Sequence, residues 1–217
     1  MSSLKLSANL MLSKSTGHAQ NKTYLKYLAL ALIGLGFLCV MLKVEVPMLL
    51  GFNPEWEHRV KTYISILHIH AFTGTLALLI GGIQFLTLPA IWHRILGRFY
   101  VSAICISAPL AIWIAIEHLS NAEALAVTIQ ALLWMYSTFA AAYYAIERQF
   151  KQHRVWILRS YALTCTFVVS RLLIDVMHLP LSKQFGDGAA FLWELSLLAL
   201  FVAQYLAPAD NSTTPHS

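Results

Sequence analysis

The sequence predicts an all-α integral membrane protein, a single bundle of six transmembrane helices. Composition is the first reason: 58% of the 217 residues are hydrophobic and only 12% are charged, far greasier than an ordinary soluble domain. Patterning is the second. The apolar residues fall into six blocks, near 24–42, 64–88, 98–117, 122–146, 156–177 and 189–207, each of the order of the ~20 residues that cross ~30 Å of hydrocarbon at ~1.5 Å per residue. Residues 1–23 read as a disordered polar tail, 24–207 as the membrane domain and 208–217 as a second polar tail.

The third observation is the placement of charge. If the N-terminus is cytoplasmic, Lys5, Lys14, Lys22, Lys26, Arg94, Arg98, Arg148, Lys151, Arg154 and Arg159 share the inner side, against Lys43, Arg59, Lys61 and Lys183 outside. The positive-inside rule then puts both termini in the cytoplasm. The net charge of +5 is accounted for by topology and by anionic lipid headgroups in the bilayer, not by nucleic acid. Cys39, Cys105 and Cys165 lie within apolar blocks without CxxC or Cys-His spacing, so neither a disulfide framework nor a zinc finger is expected.

Taken in order, helix 1 is an uncleaved anchor, with no small-residue cleavage site after it. A turn-rich outer loop from Lys43 to Thr62 follows. Helix 2 places His70, Gly74, Ala77, Gly81 and Gln84 on one face, and small residues on a face let helices approach closely. His70 therefore points into the bundle, while His68, about 200° around the helix, shares a face with Phe72, Thr75 and Leu79 and reads as a headgroup-level histidine. Pro89 and Trp92 end helix 2.

His93-Arg94 with Arg98 and Tyr100 opens helix 3, and His153-Arg154 with Arg159 and Tyr161 repeats the pattern at helix 5. The repetition suggests a duplicated hairpin, helices 2–3 and 4–5. Both copies set His93, Arg94, Arg98 and His153, Arg154, Arg159 at a cytoplasmic helix start, where free N–H groups favour an anion such as a lipid headgroup or a haem propionate. The alternative is that they are interfacial anchors that snorkel to the phosphates.

Helix 3 carries a small-residue stripe, Ala103, Ser107, Ala111 and Ile114, leading to Glu117 and His118. Helix 4, through Trp134, Tyr136, Ser137 and Thr138, offers packing and no obvious ligand. Helix 5 holds Arg171, Asp175 and His178, whose spacings of four and three place them on one face. Charges at membrane depth cost a few kcal/mol and are paired or functional. Arg171 and Asp175 also have the spacing to neutralise each other. Helix 6 begins near Trp193-Glu194.

The resulting constellation in the outer half comprises His70, His118 and His178 as cofactor ligands and Glu117, Arg171 and Asp175 as a polar pocket, with Glu194 nearby. These types suit a haem b, a transition metal, or a proton-relay and substrate pocket. No compact metal motif such as HExxH occurs, so no dedicated metal site is assigned.

The run His70, Gly74, Gly81 and Gln84, followed by His93-Arg94 and Gly97-Arg98-x-Tyr100, then His153-Arg154-x-Trp156, Arg159-Ser160-Tyr161-Ala162-Leu163 and Arg171, resembles the domain-of-unknown-function 2306 family of predicted bacterial membrane proteins. It spans Tyr63 to Asp175. Ile157 and Gly82-Ile83-Gln84 depart from the family's usual residues without removing a candidate ligand; His118 and His178 lie outside the shared motifs. The resemblance implies a multi-pass protein of the bacterial inner membrane and supplies no reaction. Three readings follow: a haem b or quinone redox site between helices 2, 3 and 5; a small-molecule or proton transporter or sensor; and a purely structural bundle. His70 and His93 stand 23 residues apart, about 35 Å along a helix, which excludes stacked haems on helix 2 that would form a transmembrane wire. The sequence names no substrate and no redox partner.

Overall fold

A computed structural model describes residues 24, 27–28, 31–49, 60–86, 88–179 and 188–207. There is no strand among the described residues. Helix α1, Ala31–Val44, overlaps a π-helical turn at Met41–Glu45 and continues as Val46–Leu49. It is followed by α2 (Ile64–Gln84), α3 (Ala90–His118), α4 (Asn121–Ile146), α5 (Phe150–Arg171, running into a π-helical turn at Leu172–Val176) and α6 (Gly188–Leu206). Five of these, α2 to α6, are long and apolar enough to cross a membrane, and α1 is a shorter apolar helix. The expected tails 1–23 and 208–217, and most of the outer loop, lie outside the described residues.

Two boundaries differ from expectation. Helix α2 stops at Gln84, and Trp92 already belongs to α3, which starts at Ala90 rather than near 98. Pro89, with φ −55° and ψ 141°, is the N-cap; its fixed φ and missing N–H suit it to a helix start and not to a helix interior. Likewise α5 starts at Phe150 rather than 156. Apolar blocks mark the hydrocarbon, whereas a helix continues into the interface, so both His-Arg motifs wind onto the first turns of their helices.

Cross-helix contacts give the register. His70 meets Ser107, Gly74 faces Ser107, Gly81 faces Tyr100 and Gln84 lies beside Gly97; the numbers rise on one helix as they fall on the other, so α2 and α3 are antiparallel. Gln130–Thr166, Thr138–Ser160 and Ala141–His153 make α4 and α5 antiparallel in the same way. Between α3 and α5 the pairs His93–His153 and Tyr100–Ser160 advance together, which makes those two helices parallel. The sequence supports the tight α3–α4 connection: Ser120 caps α4 in a reciprocal capping box with Glu123.

The bundle interior is rich in small and hydroxyl-bearing residues, whereas many large apolar side chains face outward. Ala77, Ala103, Ala108, Ala131, Ser107, Ser137, Ser160 and Thr138 are buried, while Phe72, Ile116, Phe201 and Tyr205 are exposed. Lipid tails are as apolar as leucine, so helices associate through close packing and interhelical hydrogen bonds, which favours this inventory. The tightest approach is at Gly81, where an added Cβ would lie 2.5 Å from Tyr161 Cδ2 and 2.9 Å from Tyr100 Cε2. Both rings are themselves packed in the core, so the clash has no easy relief. Gly81→Ala is expected to destabilise the protein by about 1–3 kcal/mol, read as a lowered melting temperature in detergent. Gly34→Ala, where a Cβ meets nothing within 4 Å, should be neutral or stabilising by up to about 1 kcal/mol.

Candidate functional site

The face of α2 expected to enter the bundle does so. His70 Nδ1 lies 2.9 Å from the carbonyl oxygen of Ser107 and 3.0 Å from its hydroxyl oxygen, and the Ser107 hydroxyl donates 3.2 Å back to the His70 carbonyl. A carbonyl only accepts, so Nδ1 carries the hydrogen. In the neutral ring this leaves Nε2 as a lone-pair acceptor, with no partner among the described residues.

His70 lines a cavity of about 320 Å³ enclosed by α2, α3, α4, α5 and Leu192 of α6. Its wall is mostly apolar, with Leu67, Ala111, Ile114, Val127 and Phe167 among the lining residues, and its polar contributors are Ser107, Gln130, Trp134, Thr164, Thr166, Ser170 and Arg171. Arg171 Nη1 donates to Asp175 Oδ2 at 3.0 Å, both side chains about a quarter exposed. Its guanidinium also sits 5.9 Å from the Phe167 ring centroid. The self-neutralising i,i+4 pair is thus present, and its cationic half reaches the cavity.

Beneath the cavity a hydroxyl network ties three helices together. Tyr100, 1% exposed, lies 2.8 Å from Ser160 Oγ and 3.1 Å from Thr164 Oγ1. Ser160 Oγ meets Thr138 Oγ1 at 2.7 Å, and the Trp134 indole N–H donates to Thr164 at 2.9 Å. Gln130 Nε2 donates to Thr166 Oγ1 at 2.6 Å.

The remaining expected residues are not gathered there. Glu117 and His118 are exposed, and the His118 ring stacks on Tyr63, centroids 3.8 Å apart, with Trp113 edge-on at 5.6 Å. His178 is exposed at φ 51°, so the expectation that it shares a face with Arg171 and Asp175 is corrected. The helix widens to a π turn over Leu172–Val176, with the Met177 N–H bonded to the Leu172 carbonyl, and a chain with i→i+5 bonds drifts off the α-helical stripe before it ends. Glu194 is exposed. His68 differs from expectation too: its Nε2 is buried without a partner among the described residues, so this atom faces protein.

At the opposite end, His93 and His153 come together edge-on with centroids 6.3 Å apart, and His153 Nδ1 donates to the Ala141 carbonyl at 2.8 Å. Arg94 Nε donates to the Ala90 carbonyl at 3.3 Å, while Arg94, Arg98 and Arg154 are exposed. Arg159 is engaged rather than outward-facing: its guanidinium lies 4.5 Å from the Trp156 ring centroid and donates to Gln204 Oε1 of α6 at 2.7 Å.

Gln130, Trp134, Thr164 and Thr166 were not expected as site residues. The available signal was helical spacing on α4, where Gln130, Trp134 and Thr138 recur every fourth residue in an otherwise apolar run. Among the described residues no group of three or more His, Cys, Asp or Glu side chains is disposed to hold a metal ion.

The family model described as "Predicted membrane protein (DUF2306)" matches residues 67–207. The chain belongs to that family. The match covers α2 from Leu67 through α6, and so takes in the whole cavity lining together with His118 and His178. Neither a search of curated proteins nor one of solved structures found a match.

Because Arg171 and Asp175 neutralise each other, removing one leaves an uncompensated charge at membrane depth. Arg171→Leu should therefore cost about 1–3 kcal/mol, less when combined with Asp175→Asn, measured as a double-mutant cycle of unfolding in detergent. Additive losses would show that the two side chains do not depend on each other.

Proposed function

We propose that this membrane protein binds a small, mostly apolar molecule with a polar head group, of the quinone class, in the cavity between α2, α3, α4 and α5. The observation that carries this reading is His70: it is oriented by Ser107, with its second nitrogen left open, on a cavity whose volume of about 320 Å³ is at the lower end of the range for small-molecule pockets. Apolar lining suits a ring and its substituents; Gln130 and Arg171 supply further polar contact. A haem b held by two axial histidines draws less support, because His118 and His178 stand away from the cavity that His70 lines.

The test uses protein purified in mild detergent and titrated with a short-chain quinone. Saturable quenching of tryptophan fluorescence is expected, largely lost in Trp134→Phe and shifted to about tenfold weaker binding in His70→Ala. Linear, non-saturating quenching indifferent to both substitutions would remove the proposal. Oxidised and dithionite-reduced absorption spectra of the same sample cover the haem alternative: a Soret band with sharp reduced α and β bands, lost in His70→Ala, would favour it.

We also place both termini on the cytoplasmic side of the bacterial inner membrane, on the strength of the basic residues at that face. His93, Arg94, Arg98, His153 and Arg154 then meet anionic headgroups, with Arg159 held against Trp156 and Gln204. The repeated His-Arg motifs, whose histidines His93 and His153 meet edge-on at the same end of the bundle, support a duplicated hairpin. Reporter fusions at either terminus should be active only for a cytoplasmic location; a periplasmic signal from either would reverse the assignment.

A further inference from the structure

We infer that the head group taken by the cavity is a hydrogen-bond donor, a phenolic or alcoholic hydroxyl such as a hydroquinone carries, in preference to the carbonyl of a quinone. The inference rests on the cavity reading above and follows from where each hydrogen in the wall already goes.

The hydroxyl groups on the wall are turned to backbone carbonyls. Ser107 donates to His70 O at 3.2 Å, Thr164 to Ser160 O at 3.0 Å, Thr166 to Leu163 O at 2.7 Å and Ser170 to Phe167 O at 2.9 Å. The Trp134 N–H is directed to Thr164. Since the Thr166 hydrogen points at Leu163 O, its oxygen must accept from Gln130, which fixes the amide with Nε2 towards Thr166 and leaves Oε1 without a partner among the described residues. One amide N–H of Gln130 remains, so Gln130 serves donor or acceptor alike. Arg171 gives one N–H to Asp175, and since a guanidinium N–H serves a hydroxyl oxygen and a carbonyl oxygen alike, Arg171 does not discriminate between them either.

His70 is the group that discriminates. Its Nδ1 hydrogen is committed to Ser107 and the neutral ring can only accept at Nε2. A carbonyl oxygen brought there sets lone pair against lone pair in a mostly apolar cavity. A hydroxyl satisfies Nε2 and still offers its own oxygen to Gln130 or Arg171. Sites built around one committed polar group reject an isostere that cannot complete it far better than they reject a change in apolar bulk.

The experiment compares three matched probes on the full chain in detergent: a short-chain alkyl hydroquinone kept under argon, its quinone, and its dimethyl ether, each titrated by calorimetry. The hydroquinone is expected to bind at least about tenfold tighter than either of the others, and His70→Leu should bring the three within about threefold of one another. Quinone binding equal to or tighter than hydroquinone binding overturns the inference while leaving the cavity reading intact. The same holds for a hydroquinone preference that survives His70→Leu. Absence of binding by all three overturns the cavity reading and this inference with it. Should His70→Leu fail to fold, His70→Gln is the second variant: its amide can donate or accept, so the quinone and hydroquinone are expected to come within about threefold of each other, and a hydroquinone preference that survives it overturns the inference.

Discussion

Four helices converge on Tyr100, and most of the architecture depends on how its hydroxyl is satisfied. The side chain projects from α3 into the core, where it is almost fully buried, so an unpaired hydroxyl there would cost of the order of 1–3 kcal/mol or more. Ser160 and Thr164 of α5 answer it, and through them Thr138 and Trp134 of α4. The ring edge meanwhile fixes how close α2 comes, because only glycine at position 81 fits against it. In a bundle without a hydrophobic drive between helices, such directional contacts set register and distance together. The cavity opens just above this knot, lined on α2 and α3 by the small residues Gly74, Ser107 and Ala111.

Composition and block spacing were enough to read the helical membrane class, because hydrocarbon thickness is a one-dimensional constraint that a sequence window reports directly. The inward face of α2 was equally legible. His70, Gly74, Ala77, Gly81 and Gln84 obey a 3.6-residue period, and each position that the structure describes on that face meets α3 or the core. Helix starts were less so. A basic turn such as His93 to Arg98 lowers local hydropathy without breaking the helix, and only the proline ahead of it marks the true boundary.

The site was legible in part. His70 and Arg171 were picked out because an ionisable group in an apolar run is costly. Gln130, Thr164 and Thr166 were overlooked because neutral polar residues in a helix are cheap enough to pass as packing; their meaning comes from partners on another helix. His118 and His178 fail for the opposite reason. Extending an α-helical stripe to the end of a span assumes regular geometry, and α5 widens at Leu172 while His118 finds an aromatic face outside the cavity.

The short connections have a consequence for how the polar wall is satisfied. Only Leu119 and Ser120 separate α3 from α4, and Glu147 to Gln149 separate α4 from α5. Links this short hold neighbouring spans side by side, so a polar group on one span has its mate on the next within reach. Gln130 with Thr166 and Trp134 with Thr164 lie on one such hairpin. The α4–α5 hairpin therefore pairs these wall groups within itself, so their polarity is satisfied without help from α2, α3 or α6.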